Sequence, residues 1–171
     1  CKMQSVLVDV YTPAARSLPP EVKSIIAISR YVPAQGDYEE ITWGYYQSLD
    51  TAMLEVADSC LSGFASELSS SDHFRVRTPK GHRMFKHNGD DLPKVLPWGG
   101  LLSICKKEYA NAIALLEGFS IREENPLVKV SEDSQGSGFT ASQKIVVTTA
   151  WRIQEPEKHR TFVEDVFTFS K

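Results

Sequence analysis

Residues 18–30 read Leu-Pro-Pro-Glu-Val-Lys-Ser-Ile-Ile-Ala-Ile-Ser-Arg, LPPEVKSIIAISR. Pro19 and Pro20 set an extended approach, and Val22, Ile25, Ile26, Ala27 and Ile28 then form an apolar run that closes on Arg30. The run lacks the alternation of a strand with one wet face. It has the composition of a strand buried on both faces, mid-sheet, with helices packed over it. Val22–Ser29 is therefore expected to be the most buried strand of the chain and central to its sheet.

Working outward, Leu49 to Leu68 carries Met53, Ala57, Cys60, Leu61, Phe64 and Leu68 at helical spacing, one apolar stripe. Asp50 suits an N-cap with Leu49 as its staple residue. Phe74–Arg77 reads as a short strand, so strand, helix and strand follow one another as in a parallel βαβ unit. Trp98, Leu101, Leu102, Cys105 and Tyr109 predict a second helix, although Gly99 and Gly100 weaken its start. Ala110–Phe119 (ANAIALLEGF) reads as another buried strand. Ile121–Ser142 reads as a loop, with its tip at residues 134–138 (SQGSG). Gln143–Ile153 and Thr161–Phe169 alternate and predict an antiparallel hairpin. Before the opening stretch, Ser5–Tyr11 alternates Val6, Val8 and Val10 with Leu7, Asp9 and Tyr11 and predicts an edge strand. The expectation is a single α/β (α+β) domain over residues 1–171. Its mixed sheet has five or six strands, two main helices and a C-terminal hairpin.

The totals exclude some function classes. A net charge of −3 argues against a broad phosphate-binding face, so no nucleic-acid partner is expected. The one basic stretch, Arg75–Lys86 (RVRTPKGHRMFK), begins in a short strand and is expected to run on as a solvated loop. No apolar run approaches the roughly 20 residues that cross a bilayer as a helix. Cys60 and Cys105 sit at apolar helical positions as buried thiols, or as a pair if the fold brings their Cβ atoms together. Their spacing has no zinc signature. Cys1 stands where lipoprotein processing leaves a lipid-bearing cysteine, an arbitrary chain boundary being the other reading.

No set of residues specifies a reaction. Glu117 interrupts an apolar strand, where a carboxylate needs a partner. Catalysis would require a second acid, a base or a metal beside it; a buried ion pair with Arg30 is the preferred reading. His82, His87, Asp90 and Asp91 fall together in GHRMFKHNGDD, a donor set that suits transition metals but matches no established ligand spacing, so no metal is assigned. Tyr38, Trp43, Tyr45 and Tyr46 share the long Tyr31–Asp50 connection, where they line a binding surface or cover the sheet edge. Nucleophile-elbow, zincin, Walker and dinucleotide glycine motifs are absent, and no cofactor is expected.

PAARSLPPEVKSIIAISR, HFRV, WGGLLSICKKEYANAIALLEGF and AWRIQEP together resemble a family of Bacteroidetes lipoproteins of unknown function. The order of elements is similar to that of the TolB N-terminal domain and the lipoprotein CsgG, an analogy of fold that carries no activity. The resemblance implies lipid attachment at Cys1, an outer-membrane location and an envelope protein partner. The residues after Lys2 lack an acidic export stretch, which places the domain facing the periplasm. The expected role is binding or assembly at the cell envelope. The alternatives are an envelope hydrolase gathering Glu117, the His82/His87 loop and the aromatics, or a periplasmic module for a small ligand or metal.

Overall fold

A computed structural model of the chain describes residues 18–33, 49–79, 92, 94–133 and 136–170. Strand β1 is Ser24–Ser29, helix α1 is Leu49–Ser70, and strand β2 is Arg75–Arg77. Helix α2 is Trp98–Lys107, followed by strands β3 (Ala112–Asp133) and β4 (Gly136–Glu155). A 3-10 turn at Pro156–Lys158 leads into β5, Arg160–Ser170. Among the described residues these make one mixed five-stranded sheet of order β2-β1-β3-β4-β5. β1 runs parallel to both neighbours, and β3, β4 and β5 are antiparallel in turn. The fold is α/β.

The unbroken apolar run of β1 has a direct cause. Ile25 and Ala27 pack with Met53, Ala57 and Leu61 of α1, whereas Ile26 and Ile28 pack with Leu101, Ile104 and Cys105 of α2. Each successive side chain meets a different helix, so no position is left for a polar residue. β3 repeats the division, with Ala112, Ala114 and Leu116 in the α1 cluster and Ile113 and Leu115 in the α2 cluster. On the α1 side Phe64 also stacks on Trp151 of β4, with ring centroids 4.5 Å apart.

Four expectations change. β1 is interior but β3, not β1, is the middle strand, because the hairpin adds two strands beyond β3. Ile121–Ser142 is not a loop: β3 and β4 stay paired from Ile121↔Val147 out to Asp133↔Gly136. Its charged residues and Pro126 hid a ribbon held by backbone pairing, which needs no apolar alternation. Among the described residues helix α1 already includes Leu49, which places Asp50 inside the helix rather than at its cap. Cys60 and Cys105 are both free and belong to clusters on opposite sides of the sheet, so the pairing is excluded. The expected strand Ser5–Tyr11 lies outside the described residues.

Candidate functional site: a buried row of charges across four strands

Glu117 owes its position to an irregularity in the β3–β4 ladder. Leu116 pairs with Trp151 and Gly118 with Ala150, which leaves Glu117 as an extra residue in a bulge. The bulge also shifts the alternation. Before it the even-numbered Ala112, Ala114 and Leu116 join the α1 cluster; after it the odd-numbered Phe119 and Ile121 do.

The Glu117 side chain is 0% exposed and each of its oxygens meets a guanidinium. Arg30 Nη1, just past the end of β1, donates to Oε2 at 2.5 Å. Arg152 Nη1, on β4, donates to Oε1 at 2.8 Å. Arg152 Nη2 then donates to Glu164 Oε1 at 2.8 Å, on the half-exposed outer strand β5. Two cations and two anions thus alternate along one line across β1, β3, β4 and β5. Burial pushes the Glu117 carboxyl above the ordinary carboxylate range, and the nearby Arg30 and Arg152 charges oppose that push. The arrangement neutralises charge inside the fold. It presents no oxygen to a substrate.

The sequence anticipated Arg30 as a neighbour of Glu117 but not Arg152 or Glu164. The overlooked signal was the arginine of AWRIQEP, set between Trp151 and Ile153. Reading it requires the strand register that sets Arg152 opposite both Leu115 and Glu164. A second, shallower charge cluster lies where the chain enters β1 and β5. Arg160 Nη2 reaches Glu21 Oε1 at 2.9 Å and also pairs with Glu155, while Lys158 Nζ lies 3.0 Å from Glu155 Oε1. Cys1, Tyr38, Trp43, Tyr45, Tyr46, His82, His87, Asp90 and Asp91 all lie outside the described residues. Among the described residues no group of three or more His, Cys, Asp or Glu could hold a metal ion, and no helix is long and apolar enough to cross a membrane.

Residues 22–170, which carry the whole charge row, match the family described as Domain of unknown function (DUF8603). The chain belongs to that family. No curated protein matches the DUF8603 chain. Among solved structures it is similar to the crystal structure of a neuraminyllactose-binding hemagglutinin homolog from Helicobacter pylori. The identity is 10% and the TM-score 0.42, over 95% of this chain and 70% of that one. At those values the likeness carries no argument about function.

Two local properties of this DUF8603 domain bear on its chemistry. Burial pushes the Cys60 thiol up to about 11 and the Cys105 thiol up to about 12, so neither is a thiolate at neutral pH. Glu21 moves the other way, from its ordinary 4.5 to about 2, chiefly because Arg160 hydrogen-bonds its carboxylate. A depressed carboxyl contributes stability that is fully present above 4.5 and lost as pH falls toward 2. In Arg160→Gln the Glu21 carboxyl is therefore expected to titrate higher, part of the way back to the ordinary value, since Lys158 and a backbone hydrogen bond still hold it down. A carbon-detected NMR titration reads this directly; an unchanged Glu21 midpoint would show that Arg160 is not the cause.

Proposed function

We propose that this chain is a non-catalytic binding and assembly module of the bacterial cell envelope, and that β5 is the strand it offers to a protein partner. The observation that carries the reading is the outer edge of β5. Eleven residues long, it ends the five-stranded sheet and has no strand beyond it among the described residues. An edge strand of that length presents a row of backbone donors and acceptors to any extended chain. Val166 and Phe167, 42% and 39% exposed, add apolar contact at its middle. Natural edges are usually blunted by charges or proline; the charges of β5, Arg160, Glu164 and Asp165, fall in its first half, and Val166–Ser170 carries neither charge nor proline.

The buried charge row supports the non-catalytic side of the proposal, since the most unusual carboxylate of the fold is enclosed by its two arginines. The envelope location is supported by the resemblance to Bacteroidetes lipoproteins. It includes the lipid anchor at Cys1, which metabolic palmitate labelling of the natural protein and its Cys1→Ser variant would test.

For the partner surface, the natural protein is purified by affinity from its own membranes beside a Val166→Lys/Phe167→Lys variant. Both positions are partly solvent-exposed, where substitutions have small effects on folding. The wild type is expected to bring down a stable protein partner, and the variant to lose it while melting normally. Equal recovery from both would place the partner elsewhere. A wild type that recovers nothing would overturn the assembly role.

A further inference from the structure

At the edge of the sheet opposite β5, the N-terminal ends of β1 and β2 and the C-terminal ends of both helices surround an open cleft of about 590 Å³. Lys23, His73 and Arg75 line it together with Asp72, Phe74 and Tyr109. Among the described residues Lys23, His73 and Arg75 form no ion pair, in contrast to Arg30, Arg152 and Arg160. The cleft therefore sets Lys23, Arg75 and a histidine against the one carboxylate, Asp72, among its lining residues. The α1 terminus adds less negative potential than a bare helix end would, because its last carbonyls are occupied. Ser70 Oγ donates to Glu67 O at 2.7 Å, and Ser71 Oγ donates to Leu68 O at 2.8 Å.

Tyr109 gives the cleft a second character. It follows α2 with φ of 54°, in the left-handed position that helix ends ordinarily give to glycine. A bulky side chain there is a backbone outlier. Packing does not compensate for it, because Tyr109 is 85% exposed. That conformation closes the helix, with Ala110 N donating to Cys105 O at 2.9 Å and Tyr109 N to Lys106 O at 3.4 Å, and it leaves the ring exposed and available for contact. Ser24, which lines the cleft, is by contrast held in place: Asn111 Oδ1 accepts from Ser24 Oγ at 2.9 Å and from the Ser24 amide at 3.2 Å.

We infer that this cleft is a binding site for a small ligand that bears an anionic group, phosphate or carboxylate, on a flat ring. Lys23 and Arg75 take the anion and Tyr109 takes the ring. The site lies away from the carboxyl ends of the parallel strands, where open α/β sheets usually hold ligands. Its affinity for anions comes from side chains rather than helix N-termini. It stands independently of the β5 edge, which is at the far side of the sheet.

The test is a set of NMR titrations of the 171-residue chain with three probes: phenyl phosphate, inorganic phosphate and phenol. Phenyl phosphate is expected to give saturable shifts at Lys23, Arg75 and Tyr109. Its affinity should be about tenfold above that of either half-probe, a difference of about 1.4 kcal/mol. Arg75→Gln should weaken phenyl phosphate by about tenfold and reduce the salt dependence of binding. Tyr109→Gly, which relieves the backbone and so leaves the fold at least as stable, should erase the preference of phenyl phosphate over inorganic phosphate. Benzoate in place of phenyl phosphate separates a carboxylate site from a phosphate site. The inference is overturned if no probe gives saturable shifts in the cleft, or if Arg75→Gln binds as the wild type does.

Discussion

Glu117→Gln is expected to cost about 3–5 kcal/mol, the usual loss when one member of a buried ion network is removed. The substitution keeps the shape of the side chain and deletes its charge. Arg30 and Arg152 then lose the charge that lies between them inside the fold, while Glu164 stays beside Arg152. The new amide makes matters worse by setting an N–H donor against guanidinium donors. Replacing the buried triad as a unit has a different consequence. Arg30→Met/Glu117→Leu/Arg152→Met removes the desolvation cost of three charges along with their attraction, so it should recover most of the stability that Glu117→Gln loses. Urea unfolding of both variants decides the matter. A Glu117→Gln chain within about 1 kcal/mol of wild type would mean that the row behaves like a surface pair. In the triple variant the bulge at Glu117 would lose its reason, and slippage of the β3–β4 register is the expected symptom.

The same residues show what was legible in the sequence. LPPEVKSIIAISR announced a strand covered on both faces because every position from Ile25 to Ile28 was apolar, and both covering helices were readable from their own stripes. Glu117 stood out for the converse reason: one carboxylate among apolar neighbours. Its second partner did not stand out, because Arg152 lies 35 residues away and only the register of an antiparallel ladder brings it near. The distal ribbon of β3 and β4 was misread for a related reason. Its strands are paired backbone to backbone, and that pairing needs none of the apolar alternation on which sequence reading depends. The cleft beside Tyr109 was invisible altogether. A tyrosine at that place in KKEYAN reads as one more apolar helical residue until the backbone shows that the helix has already ended.

Leu101→Ala and Met53→Ala are each expected to cost about 2–5 kcal/mol, as truncations of fully buried side chains usually do. Leu101 lies under α2 and Met53 under α1, in clusters separated by the sheet. The two clusters have no residue in common, so the two losses should add within about 0.5 kcal/mol. Should the doubly truncated chain fail to fold, Ile25→Val with Ile26→Val asks the same question at about 0.5–1.5 kcal/mol each. Those residues are adjacent in sequence yet belong to different clusters, so sequence proximity predicts coupling and the fold predicts none. Met53→Ala with Ile25→Val is the opposing case: both side chains are in the α1 cluster, and the cavity left by one should alter the cost of the other. Denaturant midpoints for these pairs separate the two layers of the fold from a single shared core. Strong coupling between Leu101 and Met53 would mean that the sheet transmits the loss from face to face, and the division of β1 between two helices would have to be abandoned.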